Sequence, residues 1–176
     1  MRKYHSSHIF FHWLVALLLL ATLAMGAYMT GLAFSPQKLR LYSWHKWLGV
    51  SIFLLVLVRL ALRGLYRAPR FPDSMGRVEK WMAAAMHISL YFLMMCAPLS
   101  GYFYSLAAGV PVVYFGVIEL PVFYGPQADL KVPLKWLHET LTYSLLFLIA
   151  VHFIAAMKHQ FLDKDKILSR ILPGKY

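Results

Sequence analysis

Four runs of about twenty apolar residues, each carrying at least one histidine, leave this chain few ways to fold. A bilayer core of about 30 Å is crossed by a helix of roughly 20 apolar residues. The runs that meet this length are Ile9–Tyr28, Trp44–Leu62, Trp81–Tyr104 and Trp136–Met157. The third contains Pro98 and Gly101, which are expected to bend its outer half. Trp44, Trp81 and Trp136 open three of the runs, as aromatic belts do at a membrane surface. The pattern predicts an all-α integral membrane four-helix bundle in one domain over residues 1–176, with no internal repeat.

Composition closes off the alternatives. The chain is 60% apolar and 14% charged, where a soluble domain has about 45–50% and about 25%. That balance excludes a disordered protein, a nucleic-acid module and an ordinary soluble enzyme. The net charge of +11 then belongs to cationic loops beside a bilayer. The lone Cys96 excludes an internal disulfide framework and every paired-cysteine metal motif. No C-x-x-C-H sequence is present for thioether-linked haem.

Arg2 and Lys3 precede the first run as in a signal peptide, but the run exceeds an h-region of about 7–15 residues and is expected to remain as a span. Gly109–Gly125 is apolar too, yet Pro111, Pro121 and Glu119 interrupt it. It reads as a loop on the membrane face. Basic residues set the orientation. Arg2, Lys3, Arg59, Arg63, Arg67, Arg70, Arg77, Lys80, Lys158, Lys164, Lys166, Arg170 and Lys175 fall on one side. Lys38, Arg40, Lys46, Lys131 and Lys135 fall on the other. The richer side is expected to be cytoplasmic, with both termini inside and Leu106–Lys135 outside.

Ionisable residues within a membrane are costly and usually functional. His12 and His152 lie near the inner ends of the first and fourth runs; His45 and His138 lie near the outer ends of the second and fourth. The step from His138 to His152 is fourteen residues. At about 100° and about 1.5 Å per residue, they share nearly one face, about 21 Å apart. One metal ion cannot take both, whereas two stacked sites can, each completed from another helix. Bis-histidine haem in a bundle suits that arrangement.

The same step on the other helices names further candidates. Gly26 follows His12 by fourteen and would let an outer porphyrin lie on the backbone, or serves helix packing. Arg59 follows His45 by fourteen and is placed to hold a haem carboxylate or a lipid phosphate. Gly49, one turn after His45, would relieve crowding over the outer ring. His87 lies at the inner depth with no evident partner, so packing and a proton relay are both open. His159, just past the fourth run, contacts a cofactor headgroup or snorkels. His5 and His8 read as solvated, and Glu139 as an interfacial carboxylate able to steer His138.

In chain order, F-H-W at Phe11–Trp13, W-H-K-W-L-G at Trp44–Gly49, V-R-L at Val58–Leu60, W-L-H-E-T at Trp136–Thr140, A-V-H-F at Ala150–Phe153 and K-H-Q-F-L-D-K-D at Lys158–Asp165 resemble the bacterial cytochrome b561 family. The resemblance covers essentially the whole chain. It implies an inner-membrane protein with two non-covalent b haems, His12 and His152 ligating the inner one and His45 and His138 the outer one. Related membrane subunits anchor formate dehydrogenases and nickel–iron hydrogenases, and the stand-alone family is described as a superoxide oxidase delivering electrons to ubiquinone. Relatives often carry two adjacent histidines after the fourth span, where this chain has Lys158 and His159.

Two stacked haems make an electron wire, with electrons entering and leaving at the ring edges. Superoxide from outside would meet loops with five basic and three acidic residues (Glu119, Asp129, Glu139), a weak steering field. Reduction of ubiquinone takes two electrons and two protons, for which His159 or His87 is a carrier because imidazole titrates near neutral pH. The reading that follows is a superoxide:ubiquinone oxidoreductase. Its alternatives are an electron-transfer subunit docking a separate dehydrogenase or hydrogenase, and a non-enzymatic metal or proton transporter.

Overall fold

The computed structural model describes residues 3–66, 69–72 and 74–174. Arg2, Arg67 and Lys175 of the charge argument lie outside the described residues. Four long helices hold the four apolar runs: α1 (Ser6–Thr30), α2 (Pro36–Leu65), α3 (Arg77–Ala107) and α4 (Ala128–Phe161). All four are long and apolar enough to cross a membrane. Each extends past its apolar run at both ends, so His8 falls in the first turn of α1 and His159 in the last turn of α4.

Local chemistry sets the ends. The Ser35 hydroxyl accepts from the Lys38 backbone N–H at 3.2 Å, and Pro36 fills the first helical position of α2, where a missing N–H is harmless. The Glu79 carboxylate accepts the Gly76 N–H at 3.1 Å and starts α3. The Lys38 ammonium donates to the Leu32 carbonyl at 2.5 Å, just past α1, and reaches the terminal Thr30 carbonyl of α1 at 3.5 Å. Only five residues separate α1 from α2, which makes the two antiparallel neighbours. The closest helix pairings are α1 on α2, α2 on α3 and α3 on α4.

The outer connector between α3 and α4 is more ordered than a loop. Val113–Tyr114 (β1) pairs antiparallel with Ile118–Glu119 (β2) around a turn in which Phe115 and Gly116 both have positive φ, 50° and 74°. Glycine takes that conformation freely; phenylalanine does not. Packing holds Phe115 there, its ring 5.3 Å from Trp47 and 4.4 Å from Tyr114. Trp47 Nε1 donates to the Val113 carbonyl at 2.7 Å, and Ser51 Oγ and the Tyr114 hydroxyl are hydrogen-bonded at 2.9 Å, so the hairpin is fastened to α2.

Large side chains point outward over the helices: Leu17, Trp136 and Phe147 are each about two-thirds exposed. In water such a surface would aggregate; against acyl chains it is the expected exterior. The core is a narrow axial column of Val15, Leu19, Ile52, Val56, Leu90, Leu93, Met94 and Leu145. Four of these share one regularity. Leu19 lies midway between His12 and Gly26, and Ile52 midway between His45 and Arg59. Met94 lies midway between His87 and Gly101, and Leu145 midway between His138 and His152. Seven residues are about two turns, so each trio shares a face. An apolar layer thus separates two polar layers.

At the inner end the chain closes on itself. Trp13 Nε1 donates to the Ile171 carbonyl at 2.9 Å, the Tyr4 N–H donates to the Arg170 carbonyl at 3.3 Å, and the Arg170 guanidinium donates to the Arg70 carbonyl at 2.6 Å. Residues near both ends of the chain and the α2–α3 connector therefore occupy one end of the bundle.

Candidate functional site

In the outer layer, the imidazoles of His45 on α2 and His138 on α4 stand with centroids 6.2 Å apart and planes at 89°. The His138 Nδ1 lies 2.9 Å from the Ala97 carbonyl, which only accepts. Nδ1 therefore carries the proton and the Nε2 lone pair is left for a metal. Ser100 Oγ lies 3.2 Å from the same Nδ1 and donates to the Ala97 carbonyl at 2.8 Å. His45 Nδ1 is buried facing the Thr22 backbone without a well-formed hydrogen bond.

Both rings rest on glycine. A Cβ on Gly26 would meet the His45 ring at 3.2 Å, and one on Gly101 would meet the His138 ring at 2.9 Å. Gly101 therefore supports His138 directly, beyond the bend expected of it. The signal that finds it is the fourteen-residue step from His87. A Cβ on Gly49 would meet no protein atom within 4 Å, so packing inside the chain does not require glycine there.

In the inner layer each helix supplies one group: His12 from α1, Arg59 from α2, His87 from α3 and His152 from α4. The rings of His87 and His152 are 5.5 Å apart, which gives His87 the partner that the sequence left open. His87 Nδ1 donates to the Ala83 carbonyl at 2.7 Å, again freeing Nε2. Arg59 Nη2 lies 3.1 Å from His12 Nδ1 and its guanidinium sits 5.4 Å above the Tyr91 ring. A guanidinium only donates, so His12 Nδ1 is the acceptor here. For His12 to offer Nε2 to a metal, Nδ1 must take the proton and Arg59 must turn to another acceptor.

The residues fit haem iron best in the outer layer. Two imidazoles would face each other across a gap there, the donor type that haem iron takes, with ring centroids 6.2 Å apart. One ligand tautomer is already set by a carbonyl, as is usual for ligating histidine.

A family model described as Prokaryotic cytochrome b561 matches residues 3–174. The chain belongs to that family. The family binds haem b and carries electrons in membranes, so this is a multi-pass bacterial membrane protein of redox electron transfer. The chain is 31% identical to cytochrome b561 homolog 2 of Escherichia coli (strain K12) over 172 residues, 92% of this chain and 87% of that one. It is 28% identical to cytochrome b561 homolog 1 of the same strain over 179 residues, 99% of each. It is also 27% identical to a probable superoxide oxidase, CybB, of Yersinia pestis over 184 residues, 99% of this chain and 98% of that one.

The remaining candidates sit at the two ends. His159 Nδ1 lies 2.7 Å from Asp165 Oδ2 and 3.0 Å from Asp163 Oδ2. The His159, Asp163 and Asp165 donor atoms lie within 4.8 Å of one another. The Lys158 ammonium, 2.6 Å from Asp163 and 3.2 Å from Glu79, already supplies a cation there. At the outer end Glu139 pairs with Lys135 at 3.6 Å and is half-exposed, an interfacial carboxylate. Lys38 and Lys46 donate to backbone carbonyls and Lys135 is paired, so three of the five outer cations are engaged within the chain.

Proposed function

We propose that this chain is a dihaem cytochrome b of the inner membrane that oxidises superoxide on its periplasmic side and reduces ubiquinone. The observation that carries the wire is the pair of histidine layers spanned by one helix, His138 facing His45 and His152 facing His87, with His12 at the same depth as the second pair. His45 and His138 hold the outer haem; His12 and His152 hold the inner one, with Arg59 released from His12 to a haem carboxylate. The haems, when bound, supply reversible one-electron chemistry at two depths. The residues of the chain orient the ligands, exclude water from the middle layer and deliver protons. The superoxide assignment is supported by the Yersinia pestis relative, a probable superoxide oxidase, and the quinone assignment by the His159 cluster at the inner end. Thirteen basic residues on the inner side support cytoplasmic termini.

The direct test puts the purified protein in liposomes loaded with ubiquinone and supplies superoxide from outside. Ubiquinol formation that tracks superoxide loss supports the reading; superoxide loss no faster than spontaneous dismutation, with fully haem-loaded protein, overturns it. Ligand identity has its own test. His12→Ala is expected to lose one of two haems and His87→Ala to keep both, by pyridine haemochrome per chain. The reverse outcome would transfer the ligand role to His87.

A further inference from the structure

We propose that Asp165 is the positioning residue that sets the tautomer of His159 for proton delivery to the quinone, an inference that rests on the quinone reading above. Asp165 is the most enclosed member of the inner cluster, with its side chain 4% exposed against 15% for His159 and 32% for Asp163. Its Oδ2 accepts a hydrogen bond from His159 Nδ1–H at 2.7 Å, and its Oδ1 accepts the Ile167 N–H at 3.2 Å. Both carboxylate oxygens are therefore fixed. The residues on either side, Lys164 and Lys166, have φ of 54° and 58°, a conformation that side chains with a Cβ rarely adopt. Two successive reversals of this kind turn Asp165 back toward the bundle, and the Asp165 N–H closes the loop on the His159 carbonyl at 3.2 Å. Such strain persists where the surroundings over-determine it and is typical of functional positions.

The chemical consequence follows from donors and acceptors. An ionised carboxylate only accepts, so Nδ1 must carry a proton and the neutral ring keeps its lone pair at Nε2. That nitrogen can take a proton from the inner aqueous side while Nδ1–H stays held by Asp165. In delivery the Nε2–H bond breaks and an O–H bond forms on a quinone oxygen, leaving the ring neutral with Nδ1–H still held. Two such deliveries accompany two electrons from two superoxide ions, each oxidised to dioxygen, and give the quinol. Asp163 is a poorer holder because its Oδ2 is shared with the Lys158 ammonium, which Glu79 of α3 also engages.

Asp165→Asn tests this cleanly. An asparagine oxygen still accepts the Ile167 N–H, but its amide nitrogen donates to Nδ1 and forces the proton to Nε2. The kcat for ubiquinone reduction is expected to fall about tenfold or more, the low end of what a positioned general acid contributes being about a hundredfold. KM for the quinone, haem content and the rate of haem reduction by superoxide should stay as in the unaltered protein, and Asp165→Glu should restore most of kcat. A second readout needs no turnover. Nitrogen-15 histidine spectra at alkaline pH, with His159 assigned by its loss in His159→Gln, should show Nδ1–H in the unaltered protein and Nε2–H in Asp165→Asn. An Nε2–H ring in the unaltered protein overturns the proposal even if the variant does not fold. Full kcat in Asp165→Asn with an impaired His159→Gln overturns it and leaves the quinone reading standing. Full activity in His159→Gln removes the proton role of His159 itself, and this inference with it.

Discussion

Replacing His138 with alanine is expected to halve the haem content, from about two per chain to about one, and to abolish electron entry from the outer side. The imidazole is one of two facing rings in the outer layer, and its Nδ1 is already committed to the Ala97 carbonyl. Removing it takes away the only ring opposing His45 at this depth among the described residues. The fold should survive. Leu145 and the buried column around it lie two turns away and keep their packing, and the Ala97 carbonyl retains the Ser100 hydroxyl as donor. Pyridine haemochrome per chain and the reduced-minus-oxidised spectrum measure the outcome. Two haems in the variant would sink the outer pairing, because among the described residues no third imidazole faces these two rings.

Gly101→Ala should have nearly as large an effect without touching a ligand. The added Cβ would lie 2.9 Å from His138 Cε1 and 3.0 Å from Nδ1, closer than carbon atoms pack. The ring has little room to yield, since Nδ1 is bonded at Ala97 and Ser100. Overpacking of this sort costs about 1–3 kcal/mol, and displacement of the ring should cost the outer haem as well. Gly64→Ala is the control. A Cβ there meets nothing within 4 Å, and alanine in a helix is favoured over glycine by about 0.5–1 kcal/mol. Haem content and the thermal unfolding midpoint in detergent should fall for Gly101→Ala and hold for Gly64→Ala. Equal behaviour of the two would mean that His138 does not depend on its glycine floor.

Much of this architecture is legible in the chain because membranes simplify the physics. A bilayer demands length and apolarity, and the four runs show both without reference to any contact. A helix converts sequence spacing into depth and direction, so the fourteen-residue step from His138 to His152 predicts two layers on one face. The repetition of that step through Leu19, Ile52, Met94 and Leu145 is equally a sequence property, and it separates the layers.

Tertiary structure decided which groups within a layer meet. Helical periodicity says nothing about the rotation of one helix against another, so His87 showed no partner until α3 was placed beside α4. The same holds for Gly101, whose role depends on a ring carried by a different helix. The Gly109–Gly125 segment read as a loop because its pairing is only two residues long and its turn places a phenylalanine at positive φ; contacts with Trp47, remote in sequence, hold it. Asp165 was hidden for a related reason. Its position depends on two left-handed lysines, a backbone choice that the chain makes only when the loop packs against the inner end of α4. The sequence by itself determined the spans, their depth marks and the two layers, because those follow from the helical repeat and the cost of polar groups in lipid. Only the packed bundle decided the pairs, the tautomers and the carboxylate behind His159, because those depend on how neighbouring helices are turned.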